Sequence, residues 1–241
     1  MSADGPSRRI CLTGPASETA ARRWTNAVLT ASGWTPIHLP LVRIVPVPVR
    51  LPAIPEGVSF VAVTSQNALP ALKRIWKQRP DVRDAPHAAV GISTARAMRA
   101  LGVDPAVVCD PDDSGARQLA EEIVERTERG QTIVWPRGDR ARDLRETLER
   151  AGRGVRDPVA YRTEDVTDAV LPGRLDAVFF ASPSAAKVWL SRADVPRVDA
   201  ITIGPTTHAE IASEYARFRT MIRLPAPSPR ALAEALATLR P

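Results

Sequence analysis

Cysteine and histidine are scarce in this chain of 241 residues. The two cysteines, Cys11 and Cys109, each fall within or at the end of a predicted strand. We therefore expect two buried thiols rather than a disulfide or a reactive site. The three histidines, His38, His87 and His208, lie far apart and in no metal-ligand spacing. Because the chain also has no C-x-x-C or H-x-x-x-H motif, we expect no metal site.

Long apolar runs, a leader segment and nucleotide motifs are also missing. No run approaches the ~18 apolar residues that a membrane span needs, and residues 1–9 are polar. We therefore expect a cytoplasmic protein that does not associate with membranes. Residues 14–17 (GPAS) follow the first predicted strand but match neither G-x-x-x-x-G-K-[ST] nor G-x-G-x-x-G, so no motif indicates nucleotide binding. No Ser–His–Asp or paired-acid arrangement can be argued from the sequence.

The charge of the chain is basic, with a net charge of +6 and a pI near 10.1. This balance favours an acidic partner. The arginines are scattered along helix faces and aromatic residues make up only 5% of the chain, which disfavours nucleic acid as that partner. Two explanations stay open: a small polyanion bound in a cleft, or a solvated arginine-rich surface.

Predicted strands and helices alternate along the chain, which indicates parallel sheets. Two extended segments interrupt this order, one leading into a proline-rich stretch near residue 46 and one near residue 160. Two strands precede the first segment and three follow the second, enough to form one sheet. We predict an α/β fold of two doubly wound parallel-sheet domains joined by a two-stranded connector, with the first domain discontinuous. The expected ranges are 1–40 and 168–241 for the first domain, 47–157 for the inserted second domain, and 41–46 and 158–167 for the connector strands.

A strand followed by small polar residues and a helix occurs twice in each half of the chain. In the first half these junctions are residues 64–68 (TSQNA) and 91–95 (GISTA); in the second half they are 181–184 (ASPS) and 204–207 (GPTT). All four place hydroxyl residues or glycine where the carboxyl end of a strand meets a helix. In open α/β sheets this is where ligands bind, so each half offers a candidate ligand-binding edge.

Ser65 and Ser182 follow strands directly, where a serine usually caps the next helix. If that helix began right after Ser65, Pro70 would fall beyond its first turn, where proline is costly. If Asn67 is the cap, Pro70 falls within the first turn, and Ser184 is the matching residue in the second half. We therefore expect Asn67 and Ser184 to be the caps, which leaves Ser65 and Ser182 available to a ligand.

Three threonines and one glycine occupy the remaining junctions. Thr207 begins the capping box THAE (207–210), so capping alone could explain it. A helix start beside Gly204 is also an anion site, because free backbone N–H groups point outward there. Helix capping and anion binding are compatible roles, and both stay open for Thr94 and Thr206 as well.

Tyr161 and a cationic loop are the other candidates. Tyr161 lies in the second connector segment, where most tyrosines pack on a domain edge and fewer act in proton transfer. Arg137 and Arg142 belong to the loop RGDRAR (137–142) at the end of another strand. This loop is either a solvated helix start or a contact for a carboxylate.

Taken in order and spacing, these motifs resemble the uroporphyrinogen-III synthase family over essentially the whole chain. The motifs that carry the resemblance are residues 64–68 (TSQNA), 90–95 (VGISTA), 137–138 (RG) with Arg142, 159–163 (VAYRT), 180–185 (FASPSA) and above all 203–207 (IGPTT).

The resemblance implies two α/β domains with the active site in the cleft between them. It implies cofactor-free cyclisation of hydroxymethylbilane, a linear tetrapyrrole with eight carboxylates, to uroporphyrinogen III. Loss of the terminal hydroxyl gives an azafulvene, and ring closure inverts the last pyrrole through a spiro intermediate. Tyr161 matches the family tyrosine that is proposed to help the hydroxyl depart. The positions that the resemblance implies for substrate binding are Ser65, Thr94, Ser182 and Thr207. The helix start at Gly204 and Thr206, and Arg137 and Arg142 of the cationic loop, are further candidate substrate contacts from the patterns described above.

One position departs from the family pattern. The family usually has Thr-Arg-Pro after the first strand, whereas Gly14 follows Thr13 here, so any charge contact of that arginine is missing. We expect a monomer whose partner is the tetrapyrrole. The alternative is a non-catalytic module that binds a tetrapyrrole or another small polyanion on the same scaffold, because a fold does not imply an activity.

Overall fold

The computed structural model describes residues 7–15, 18–109 and 115–239. The strands are β1 (Arg8–Leu12), β2 (Trp34–His38), β3 (Val42–Pro46), β4 (Phe60–Val63), β5 (His87–Val90), β6 (Val107–Cys109), β7 (Thr132–Val134), β8 (Arg137–Gly138), β9 (Gly154–Arg156), β10 (Val159–Asp165), β11 (Ala177–Phe180), β12 (Val198–Thr202) and β13 (Phe218–Arg223). The helices are α1 (Glu18–Thr30), α2 (Leu69–Gln78), α3 (Pro80–Asp84), α4 (Ile92–Arg99), α5 (Gly115–Glu125), α6 (Asp143–Arg150), α7 (Pro183–Ser191), α8 (Pro205–Ile211) and α9 (Pro229–Thr238). Segments Gln66–Ala68 and Ala212–Arg217 are 3₁₀ turns.

The chain divides into two compact units. The first unit comprises Met1–Arg43 and Glu164–Pro241, and the second comprises Ile44–Thr163. The first unit contains a five-stranded sheet of order β13-β12-β11-β1-β2, and the second a five-stranded sheet of order β6-β5-β4-β7-β9. Neighbouring strands are parallel in both sheets. The predicted α/β fold with two parallel sheets is confirmed, including a first sheet assembled from strands at both ends of the chain.

Helices cover both faces of the first sheet. Strands β11 and β12 are buried throughout, which is typical of a parallel sheet that is covered on both sides. Ile10 and Phe179 point to one face, where they pack with residues of α1 and α9. Cys11 and Phe180 point to the other face, where they pack with Trp189 and other residues of α7. This alternation follows from the two-residue period of a strand.

The second sheet repeats this arrangement. Val61 and Val63 of β4 pack with residues of α2 and α4 on one face. Phe60 and Ala62 of the same strand pack with residues of α5 and α6 on the other. Both sheets are therefore doubly wound, and in each of them the loops that carry candidate residues follow the carboxyl ends of the strands.

A small third sheet has the order β3-β10-β8. Strands β3 and β10 are the two predicted connector strands. The short strand β8 (Arg137–Gly138) is an addition that the sequence did not indicate, and it runs parallel to β10. The backbone amide of Val47 extends this sheet by donating to the carbonyl of Ala160 at 2.9 Å.

Both cysteines are buried free thiols, as predicted. Burial raises the pKa of the Cys11 thiol to about 12, because the thiolate would lose its solvation. The thiol is therefore protonated and unreactive at neutral pH. No helix within the described ranges is both long and apolar enough to cross a membrane.

Candidate functional site

Strands β5, β4 and β7 are neighbours in the second sheet and run in the same direction. The residues that follow them therefore meet at one edge of the sheet. A hydrogen bond of 3.2 Å from Trp135 Nε1 to Thr64 Oγ1 ties the end of β7 to the end of β4. The 3₁₀ turn Gln66–Ala68, which follows β4, contacts both α4 and β8. This edge brings the first group of candidate residues together.

Ser65 is the N-cap of the 3₁₀ turn. Its Oγ accepts a hydrogen bond of 3.2 Å from the backbone amide of Asn67. We predicted that Asn67, and not Ser65, is the cap that follows β4, and this prediction is wrong. The 3₁₀ turn separates Ser65 from α2, whose N-cap is Ala68 without a side-chain hydrogen bond. Pro70 lies in the first turn of α2, as predicted, where its missing N–H leaves no unsatisfied donor.

Gly91 is the N-cap of α4 and has φ = 79°, a left-handed conformation that favours glycine. Thr94, the third residue of α4, is only 4% exposed. Ile92, the first residue of the helix, is 69% exposed. The structure thus places Thr94 at the predicted edge, but with little of its surface accessible.

Tyr161 on β10 pairs with Gly138 on β8. Its half-buried side chain packs near the small residues Ala68 and Ala160. Within the part of the chain that the structure describes, no hydrogen bond to the Tyr161 hydroxyl is formed. Tyr161 therefore belongs to the same neighbourhood as the turn that Ser65 caps.

The guanidinium of Arg137 is already occupied inside the second unit. Its Nε lies 2.7 Å from Asp157 Oδ2, and its Nη1 donates to the carbonyl of Gly138 at 3.1 Å. Arg142 is exposed and immediately precedes α6. Of these two candidates, Arg142 is the one that solvent reaches freely.

In the first unit, Ser182 follows β11 and is the N-cap of α7. Its Oγ accepts a hydrogen bond of 3.2 Å from the backbone amide of Ala185. The prediction that Ser184 caps this helix is therefore wrong. Pro183 occupies the first helical position, where its fixed φ suits the helix start, and this places Ser184 inside the helix.

The junction after the neighbouring strand β12 also differs from the prediction. Gly204 is the N-cap of α8 in an extended conformation and makes no side-chain capping bond. Thr207 lies inside α8 and is 2% exposed, so the predicted capping box at 207–210 is wrong. The reason is again a proline, Pro205, which starts the helix two residues before Thr207. Thr206 between them is exposed.

Gly14 stands where the resemblance leads us to expect arginine. A Cβ at Gly14 would lie 3.3 Å from the Cβ of Ala181, the residue before Ser182. A larger residue at position 14 would therefore press on the loop that presents Ser182. Within the described ranges, no group of three or more His, Cys, Asp or Glu side chains is placed to hold a metal ion.

Two partners of the candidate residues were not predicted from the sequence. Asp157 binds Arg137, and Gly138 lies against the ring of Tyr161. The glycine of the Arg137-Gly138 pair was a signal for the contact with Tyr161, since a glycine in a strand often marks a place where another group approaches the backbone closely. No local pattern pointed to Asp157.

The chain resembles known proteins in both sequence and structure. The family model described as uroporphyrinogen-III synthase HemD matches residues 24–218. The structure is similar to the crystal structure of uroporphyrinogen-III synthetase from Helicobacter pylori 26695, with 19% identity, a TM-score of 0.68, and coverage of 97% of this chain and 100% of that chain. It is also similar to a mutant uroporphyrinogen III synthase from the extremely thermophilic bacterium Thermus thermophilus, with 18% identity, a TM-score of 0.61, and coverage of 95% of this chain and 96% of that chain. A comparison with curated proteins found no match.

Proposed function

The chain belongs to the uroporphyrinogen-III synthase family, and from this premise we propose that it cyclises hydroxymethylbilane to uroporphyrinogen III with inversion of the terminal pyrrole ring. The observation that carries the proposal is the family match over residues 24–218. The net charge of +6 supports it, because the substrate is a polyanion with eight carboxylates.

Hydroxyls and backbone N–H groups would bind those carboxylates. Ser65 and Ser182 each use Oγ as an acceptor for a backbone amide, which leaves their O–H groups free to donate to a carboxylate. Capping and substrate binding are thus compatible in one serine. The first N–H groups of a helix have no partner within it, so Thr206 and Thr207 offer further donors beside Gly204.

The remaining contacts come from the second unit. The side chain of Thr94 is nearly buried and its amide donates to the carbonyl of Gly91 at 3.1 Å, so the N–H groups that precede Thr94 in α4 are the donors at this helix start. Arg142, which is exposed, binds a substrate carboxylate directly. Because Asp157 already balances the charge of Arg137, we expect Arg137 to contribute less to substrate binding than Arg142.

Tyr161 acts as the proton donor in the first step. The C–O bond of the hydroxymethyl group breaks as the pyrrole nitrogen supplies electrons, and the leaving oxygen takes a proton from the phenol to depart as water. The pyrrole N–H then gives its proton to the phenolate, which restores the phenol and leaves the neutral azafulvene. The azafulvene carbon is attacked by the substituted carbon of the last pyrrole to form the spiro intermediate. The older bond from that carbon to its methylene bridge then breaks, and the freed bridge carbon bonds to the unsubstituted α-carbon of the same, now inverted ring, which loses its proton to restore the pyrrole. The enzyme's further task is to hold the tetrapyrrole so that attack by the substituted carbon precedes direct closure at the unsubstituted carbon, which would give the type I isomer.

The experiment is to give purified protein hydroxymethylbilane and separate the products by chromatography. The type III isomer is the expected product. Tetrapyrrole binding accompanied only by the type I isomer, the product of unassisted closure, would support the non-catalytic binding module instead.

A further inference from the structure

Gly138 and Tyr161 are paired residues on neighbouring strands of the small sheet. A Cβ placed on Gly138 would lie 2.8 Å from Tyr161 Cζ, 2.9 Å from Cε2 and 2.9 Å from the hydroxyl oxygen. Real Cβ atoms essentially never approach other heavy atoms this closely. The ring of Tyr161 therefore lies across the backbone of Gly138 in space that any other residue would fill.

The backbone conformation does not explain the glycine. Gly138 is not among the glycines with positive φ, whereas Gly91 and Gly152 are. Alanine could adopt the conformation of Gly138 without backbone strain. The three atoms nearest to a Cβ at position 138 all belong to the outer end of the Tyr161 side chain.

The backbone on both sides of this contact is fixed by hydrogen bonds. The amide of Asp139 donates to the carbonyl of Tyr161 at 3.1 Å, and the amide of Thr163 donates to Asp139 Oδ1 at 3.1 Å. If a Cβ is added at Gly138, the strands are held in place, and the end of the tyrosine side chain is the part that can move.

Small residues complete the surroundings of the ring. Ala68, Ala71 and Ala160 form the buried cluster against which Tyr161 packs. Ala68 ends the 3₁₀ turn that Ser65 caps. The ring of Tyr161 therefore packs against the same turn that holds Ser65, a proposed substrate contact. If the ring were displaced, the Tyr161 hydroxyl would change its position relative to Ser65 and the 3₁₀ turn.

We propose that Gly138 is a positioning residue, which sets the place of the Tyr161 hydroxyl by leaving room for the ring against β8. The role in catalysis rests on the proposed function, whereas the effect on the ring does not. Because the atoms in the way belong to the far end of one side chain, Gly138→Ala should fold normally and move the ring.

The structural arm of the test uses fluorine NMR. The chain has two tyrosines, Tyr161 and Tyr215, so uniform labelling with 3-fluorotyrosine gives two sites, and Tyr215→Phe assigns them. Tyr215 is 70% exposed and serves as an internal reference. In Gly138→Ala the Tyr161 resonance should shift while that of Tyr215 stays. The matched control is Gly173→Ala, because a Cβ there meets nothing within 4 Å.

The kinetic arm measures cyclisation. Gly138→Ala should lower kcat by about ten- to a hundredfold, the range expected for a catalytic group misplaced by about 1 Å, with little change in KM. In a Tyr161→Phe background the same substitution should lower kcat no further, since the hydroxyl is already gone. A purely structural role for Gly138 would instead lower kcat equally in both backgrounds.

Three results would overturn the inference: an unmoved Tyr161 resonance, a moved resonance with unchanged kcat, or equal loss in both backgrounds. If the wild-type protein forms no type III product but the Tyr161 resonance moves in Gly138→Ala, the steric relation stands. The proposed function is then the part that fails.

Discussion

The side chains of Arg137 and Asp157 form a largely buried ion pair, with Nε and Oδ2 2.7 Å apart and each side chain 11% exposed. The other carboxylate oxygen of Asp157 lies 2.7 Å from Arg145 Nη1 on α6. One carboxylate thus joins strand β8 to helix α6 of the same unit, through the residue that precedes Gly138.

Removing this carboxylate should destabilise the protein. Asp157→Asn leaves the largely buried guanidinium of Arg137 without its counter-charge, at an expected loss of about 2 kcal/mol in the free energy of unfolding. Glu149→Gln is the control, because the Arg145–Glu149 pair is exposed and its loss should cost less than about 0.5 kcal/mol. Urea denaturation of the three proteins measures both values. Equal losses of unfolding free energy in Asp157→Asn and Glu149→Gln would show that the Arg137–Asp157 pair does not stabilise the region around β8.

His87 should make stability depend on pH. Its ring is 2% exposed, and burial lowers its pKa from 6.5 to about 4 despite a hydrogen bond of 2.7 Å between Nδ1 and the carbonyl of Ala85. Between about pH 6.5 and pH 4, the ring is therefore neutral in the folded protein but protonated in the unfolded chain. Stability should be unaffected by this group above about pH 6.5 and should fall between about pH 6.5 and pH 4, by roughly 3 kcal/mol in total.

The measurement is the free energy of unfolding against pH for wild type and His87→Phe. The wild-type curve should fall more steeply between pH 6.5 and pH 4, because only the unfolded wild type takes up this proton. Parallel curves in that window would mean that burial of His87 contributes nothing to the pH dependence.

Tyr161→Phe should separate chemistry from binding. Loss of the phenolic proton donor should lower kcat by about a hundredfold, whereas the affinity for the tetrapyrrole product should stay nearly the same. Single-turnover kinetics and product titration measure the two quantities. Tyr215→Phe is the matched control, since Tyr215 is exposed and lies in no proposed contact. An unchanged turnover rate in Tyr161→Phe would remove this residue from the mechanism.

Ser182→Asp should keep the helix cap and weaken substrate binding. Aspartate caps a helix about as well as serine, so thermal stability should hardly change. Its charge, however, would face a substrate carboxylate and raise KM by about fivefold, for roughly 1 kcal/mol of repulsion. Ser228→Asp is the control, because Ser228 caps α9 with the same geometry but is not a proposed substrate contact. A KM that rises equally in both variants would place Ser182 outside the binding site.

The fold was predictable because its signals are local and repeated. Buried strands such as β4 and β11 are continuous apolar runs, and the position of Pro70 correctly limited where α2 could begin. The capping residues were not predictable to the same degree. Whether Ser65, Ser182 or Thr207 is a cap depends on the helix start to within one or two residues, and a 3₁₀ turn or a proline at the first position shifts that start.

The contacts that tie the candidate residues together are long-range and had no local signal. Asp157 lies 20 positions from Arg137 in the chain, and their pairing follows from the order of strands at one edge of the sheet. Likewise, Gly138 and Tyr161 meet only because β8 joins the connector sheet. Sequence patterns indicated which residue types stand at the edge but not which of them bind one another.

The most direct test of the proposed function is the isomer composition of the product. Hydroxymethylbilane is incubated with increasing amounts of purified protein and with buffer alone, and the type III and type I isomers are separated after oxidation. The fraction of type III isomer should rise towards completion as the protein concentration increases, against a background of type I in buffer. A product that stays type I at every protein concentration would contradict the assignment of cyclase activity to this chain.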